Sequence, residues 1–175
     1  MTHRELAEAL SGAFPQAKHS GAVVKDSGCE LRCTECEGVL ILRGERLRAE
    51  LHGDPPPESR RAADALVFHD LQSMAALCVV EMKGRSLDAG NVLEQLSHSA
   101  VDAEKALCRI GASTAGVRFN TIVLSRADMP ELQVLSRRSV RFAGRSYDIL
   151  LGKCGSELTE ILPKDRKRRR RKRRR

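Results

Sequence analysis

The chain has no tryptophan, one tyrosine and four phenylalanines in 175 residues, so the core it builds must be aliphatic. No apolar run approaches the ~18 residues that mark a candidate transmembrane helix. The first helix-like stretch carries Arg4, Glu5 and Glu8, unlike the apolar segment of a secretory signal. The histidines at 3, 19, 52, 69 and 98 form neither H-x-x-x-H nor HExxH, and the chain holds no P-loop, no GxGxxG and no Ser/His/Asp arrangement. Nucleophilic hydrolysis and nucleotide binding by those motifs are therefore without support. Six cysteines without a secretory signal argue for reduced thiols, metal ligands or buried side chains over a disulfide scaffold. The expectation is a soluble, cytoplasmic protein, or a nuclear one in a eukaryote.

The formal charge of +8 is unevenly distributed. Residues 164–175 hold 11 of the 31 Lys and Arg and one acid, Asp165, a net +10. The other 163 residues carry 20 basic and 22 acidic groups, a net −2. The reading is one domain over 1–163, of ordinary size, followed by a disordered basic tail over 164–175 that cannot fold alone because nothing in it can be buried.

Along the body, Thr2 with Glu5 forms a capping box ahead of an apolar stripe at Leu6, Ala9, Leu10 and Ala13, which predicts a helix over 2–14. Residues 15–38 read as irregular. Val39–Leu42 and Leu47–Leu51, separated by Gly44, suggest a β-hairpin, and 53–59 is a proline-rich loop. The runs 65–68 and 77–80 read as buried strands. Leu93, Leu96, Ala100, Ala103 and Leu107 define a long helix over 87–110, capped at Gly111. Phe119–Leu124 and Tyr147–Leu151 are strands, and 129–140 fits either structure. The fold class is α/β with a mixed central sheet flanked by helices.

Both buried strands end in charge. If they pair antiparallel about a turn between Gln72 and Ser73, Phe68 faces Leu77, Leu66 faces Val79, and Asp64 faces Glu81, with Cβ atoms ~5 Å apart. Lys83 lies on the same face. Two carboxylates so close repel each other unless a cation lies between them. Mg²⁺ is commonly held by two carboxylates and water, and Lys83 could act on the attacking water or on a phosphate. A one-residue slip would separate the acids.

Asp64, the Glu81-Met82-Lys83 triplet and a following helix with Gln95 resemble the PD-(D/E)xK nuclease superfamily over roughly residues 39–125. Among its members the likeness is to Holliday-junction resolvases and small phage or restriction-type nucleases. The resemblance implies a restriction-endonuclease-like core of helix, three strands, helix and strand. It also implies Mg²⁺ or Mn²⁺ on Asp64 and Glu81, Lys83 acting on water, and Gln95 supporting the site. Ala63 stands where the motif's name has proline. Glu5 and Glu8 are candidates for the first-helix glutamate of many members, and neither is assigned. Asn91, Gln95 and His98 also fit the polar side of an amphipathic helix.

Cys29-x3-Cys33-x2-Cys36 is the second constellation. Three thiols in eight residues can wrap a soft metal, with Cys154 the best-placed fourth ligand and His52 or Cys108 behind it. Zinc and an iron–sulfur cluster both fit, the latter also known in some nucleases of the superfamily. Cys78 reads as a small core residue. The basic tail predicts a polyanionic partner, nucleic acid first, with an acidic protein, an anionic membrane surface or a nuclear-localisation role as alternatives. The leading functional expectation is a metal-dependent nuclease that binds nucleic acid through its tail and active-site face. The competing one is a non-catalytic binding module with a Cys-bound structural metal.

Overall fold

A computed structural model describes residues 1–53, 61–71, 74–84 and 86–163. Helix α1 (His3–Ala13) begins at the expected capping box: Thr2 Oγ1 accepts from the Glu5 N–H, and the Glu5 carboxylate accepts from the Thr2 N–H at 2.7 Å. The segment expected to be irregular contains an antiparallel hairpin, β1 (Val23–Asp26) and β2 (Cys29–Arg32). Its turn puts Ser27 and Gly28 at positive φ, 48° and 72°, the conformation a tight two-residue hairpin turn requires.

Strand β3 (Leu40–Arg43) is where the first apolar run predicts it, but its expected hairpin partner is helix α2 (Gly44–His52). Gly44, Leu47 and Arg48 are buried at helical spacing, and the residues between them are good helix formers. Gly44 is not a turn residue. A Cβ there would collide with the Ala63 carbonyl oxygen, so glycine is required where the start of α2 crosses the segment leading to Asp64.

Strands β4 (Ala65–Leu71) and β5 (Met74–Lys83) follow, then α3 (Ala89–Arg109) and β6 (Val117–Ser125). Asp88 caps α3 by accepting from the Asn91 N–H, and Gly111 adopts φ 71° after its end. The ambiguous segment divides into α4 (Pro130–Leu135), with proline in its first turn, and β7 (Ser139–Phe142). Strand β8 (Arg145–Lys153) and a short α5 (Leu158–Ile161) complete the described chain. Past Gly53, the proline-rich loop expected at 53–59 lies outside the described residues, as do the turn at 72–73 and the basic tail at 164–175.

The sheet is mixed and six-stranded, ordered β3-β4-β5-β6-β8-β7. The β5/β6 and β6/β8 pairs are parallel, and the other three are antiparallel. Leu66, Phe68, Leu77, Val79 and Val123 face α1, α2 and α3 in one apolar cluster. Val67, Cys78, Val80, Met82 and Ile122 face the β1–β2 hairpin and α5 in a second. The central strands are thus buried on both faces, as their unbroken apolar runs predict. A buried ion pair, Arg48 to Asp102 at 3.1 Å, ties α2 to α3, and His52 Nε2 meets the other Asp102 oxygen at 2.8 Å. No helix among the described residues is long and apolar enough to cross a membrane.

The close approach at Gly44 has a measurable consequence. Gly44→Ala should destabilise the fold by about 1–3 kcal/mol, the cost of forcing atoms into packed space. Gly12→Ala, in α1 with nothing within 4 Å of the new Cβ, should be neutral or stabilising by up to about 1 kcal/mol. Urea unfolding of the two variants tests the contrast.

Candidate active site

The β4/β5 register is the one the turn position predicts: Leu66 pairs with Val79 and Phe68 with Leu77. Continued one step past Ala65–Val80, it sets Asp64 against Glu81. By strand alternation Glu81 and Lys83 share the α3 face with Leu77 and Val79. Met82 N–H donates to Asp64 Oδ2 at 2.6 Å, fixing the acid at the strand end. The segment before it is held from α3, where Ser99 Oγ accepts from the Ala63 N–H at 2.7 Å.

Gln95 is also on α3 and is buried. Its Nε2 donates to the Ala62 carbonyl, and its Oε1 accepts from Lys83 Nζ, both at 3.4 Å. Lys83 Nζ lies 2.5 Å from Glu81 Oε1. The fold therefore connects all four expected residues: Asp64 through the Met82 amide, and Glu81, Lys83 and Gln95 through the ammonium group. Glu5 and Glu8 stay out of this network. Both are exposed; Glu5 caps α1 and Glu8 pairs with Arg4.

The electrostatics are those of an incompletely neutralised acid pair. Glu81 is 1% exposed, and its carboxylate meets the Lys83 ammonium and the Asp64 backbone amide, neither at full hydrogen-bond geometry. The Lys83 contact is an ion pair without hydrogen-bond angles. Burial, followed by the Glu81 charge, pushes the Asp64 pKa up to about 8, against the lowering effect of the Met82 amide. Burial also raises Glu81, while Lys83 opposes that rise. A divalent cation would reverse both shifts by favouring the charged forms. Among the described residues no three His, Cys, Asp or Glu converge on one point. Two carboxylates suffice for Mg²⁺.

Asp26 is the residue that reading 15–38 as irregular concealed. It stands at the β1–β2 turn, and its charge raises the pKa of both Asp64 and Glu81. Apolar Val23-Val24 before Asp26-Ser27-Gly28, with Leu31 beyond, was the available signal for a hairpin. The turn reaches the site because Gly84 has no side chain: a Cβ there would collide with the Ser27 carbonyl.

The cysteine set differs from its expectation. Cys29 and Cys154 are joined in a disulfide with Cα atoms 5.0 Å apart. This bond removes two sulfurs from the proposed zinc or iron–sulfur ligand set and corrects the expectation of reduced thiols throughout. Cys33 and Cys36 are free and share a hydrogen bond that, before all other influences, raises the Cys33 pKa and lowers that of Cys36. Of the reserve ligands, His52 is engaged by Asp102 and Cys108 is exposed on α3. Cys78 is fully buried, as a small core residue.

Comparison with family models, curated proteins and solved structures finds no match to this chain. Function is accordingly read from the side chains themselves.

Two outcomes test this geometry. A carboxyl group whose folded pKa is raised stabilises the fold below its unfolded pKa, and that contribution disappears as pH rises through the folded value. Metal-free protein should therefore lose stability between about pH 4 and pH 8, by at most about 1.4 kcal/mol per pH unit from Asp64. Asp64→Asn should flatten this slope. His3 and His69, whose pKa values burial lowers, act in the opposite direction, and the wild-type-to-variant difference in urea unfolding cancels them. Separately, thiol titration of denatured, unreduced protein should give four reactive groups from six cysteines, and six after reduction. Six before reduction would exclude the disulfide.

Proposed function

We propose that the protein is a Mg²⁺- or Mn²⁺-dependent nuclease that hydrolyses phosphodiester bonds in nucleic acid, with a site of the PD-(D/E)xK kind. The observation that carries this reading is Glu81, a buried carboxylate opposite Asp64 and in contact with a lysine that α3 holds through Gln95. Apart from β1, β2 and α2, which interrupt it, the order α1, β3, β4, β5, α3, β6 follows the helix, three strands, helix and strand that the resemblance implies. The non-catalytic alternative loses its main support, because two of the four sulfurs it assigns to a metal are bonded to each other.

Asp64 and Glu81 would hold the ion, which when bound polarises the phosphate and lowers the pKa of coordinated water. Lys83, fixed between Glu81 and Gln95, presents its ammonium group where it can donate to the attacking water or to a non-bridging phosphate oxygen. Gln95 is a positioning residue, since it acts through Lys83. A water oxygen bonds to phosphorus, the ester P–O bond breaks, and the departing alkoxide takes up a proton, so one water is consumed per bond cut. The basic tail would supply salt-dependent, sequence-independent affinity.

Cleavage of DNA or RNA should require Mg²⁺ or Mn²⁺ and stop with EDTA. Glu81→Ala and Lys83→Ala should each lower kcat/KM by at least about 100-fold, in line with the loss of an electrostatic or acid–base group, with circular dichroism unchanged. Cleavage that survives both substitutions, or that is seen with no substrate, would remove the proposal.

A further inference from the structure

Lys83 belongs to a second feature that the acid pair does not use. At the carboxyl ends of the parallel strands, Lys83 pairs with Ser125 and Ser125 with Lys153 across β5, β6 and β8. Two strand spacings separate the two lysine backbones, about 10 Å, and Arg126 follows Ser125 between them. The crevice outside the carboxyl ends of parallel strands is where open α/β sheets bind ligands.

Two cavities open there. One, of about 480 Å³, is lined by Ser27, Gly28, Lys83, Gly84, Ser86 and Arg126, with no carboxylate among them. Its wall is close-packed backbone. Gly84 lies against the Ser27 carbonyl, and the Arg126 guanidinium lies over Gly28, 3.5–3.6 Å from where a Cβ would stand. The second cavity, of about 700 Å³, shares Arg126 and adds Lys153, the Ser125 and Ser156 hydroxyls, and two acids, Asp128 and Glu160. The Glu160 carboxylate already accepts from the Glu157 N–H at 3.2 Å. Arg126 and Lys153 are exposed, and neither has a carboxylate partner among the described residues. Glu160 and Ile161 of α5 border this cavity.

We infer that the two cavities are consecutive phosphate subsites for one nucleic-acid strand, with Arg126 the ligand they share and Lys83 the link to the acid pair. The placement of the reacting phosphodiester beside Lys83 rests on the proposed function; the subsites themselves rest on the cavities and their cations. A guanidinium can hold phosphate oxygens in bidentate fashion, and Arg126 stands over the Gly28 backbone with no carboxylate partner among the described residues. The phosphate could be an internal diester or a strand's terminal monoester, which share this chemistry.

The test is a titration of ¹⁵N-labelled full-length protein, in EDTA, with a tetranucleotide bearing or lacking a 5′-phosphate. Shifts are expected at the amides of Gly28, Gly84 and Arg126, with at least fivefold weaker binding in Arg126→Ala and in Arg126→Gln at an otherwise unchanged spectrum. Tighter binding of the 5′-phosphorylated form identifies a terminal monoester, and equal binding identifies internal diesters; either supports the subsites. Shifts confined to residues 164–175, or unchanged affinity in both variants, would overturn them. If these shifts occur but no substrate is cut, the nuclease reading fails and the subsites stand. If substrate is cut with neither shifts nor an effect of Arg126→Ala, the subsites fail alone.

Discussion

The pairing of Phe68 with Leu77 sets everything at the site, because one register places Asp64 against Glu81 and the adjacent register sends them to opposite faces. In a half-exposed sheet the alternation of apolar and polar residues would enforce that choice. Here it cannot, since β4 and β5 are apolar on both faces and a slip would bury the same kinds of side chain. The register is instead pinned at the strand ends. Gly44 packs on the Ala63 carbonyl, Ser99 accepts from the Ala63 amide, and Asp64 accepts from the Met82 amide. The last of these makes the acid a structural clamp as well as a candidate ligand, so the charge that creates the site also fixes its geometry.

The sheet separates two kinds of chemistry. Asp64, Glu81, Lys83 and Gln95 lie on the face covered by α1, α2 and α3, whereas every cysteine but Cys108 lies on the face covered by the β1–β2 hairpin and α5. The faces meet at the carboxyl end of β5. There Cys154 Sγ approaches the Lys83 carbonyl at 3.9 Å, and the Ser27 carbonyl packs on Gly84. The Cys29–Cys154 bond spans 125 residues and ties the hairpin that carries Asp26 to the end of β8. It holds a negative charge near an acid pair that already resists ionisation.

What was legible in the sequence followed from strong local signals. The capping box at Thr2, the stripe along α3 and the register through a turn at 72–73 each depend on residues close in sequence, and each has its expected form. The α2 helix was missed because Gly44 read as a hairpin break, when its absent side chain answers to Ala63, a tertiary neighbour. The β1–β2 hairpin was missed because its cysteines drew a metal reading, and Asp26 was hidden with it. The Cys29–Cys154 partnership is equally invisible locally, since it depends on β8 ending beside β2. Arg126 had no motif to announce it: only the parallel register of β5, β6 and β8 places it between two lysines.

The charge distribution then acquires a division of labour under the proposed function. A body of net −2 with two buried acids does not attract a polyanion at long range, and at physiological salt its field is screened within about 8 Å. Association would therefore fall to the +10 segment, which is indifferent to sequence and sensitive to salt. Orientation is a short-range matter and needs cations at fixed positions. Lys83 is immobilised by Glu81 and Gln95, and Arg126 is seated on the hairpin turn. A strand captured by the basic segment and aligned by cations at fixed positions would reach Asp64 and Glu81 with its phosphate charge already partly offset. That offset is what lets two carboxylates serve a substrate of their own sign.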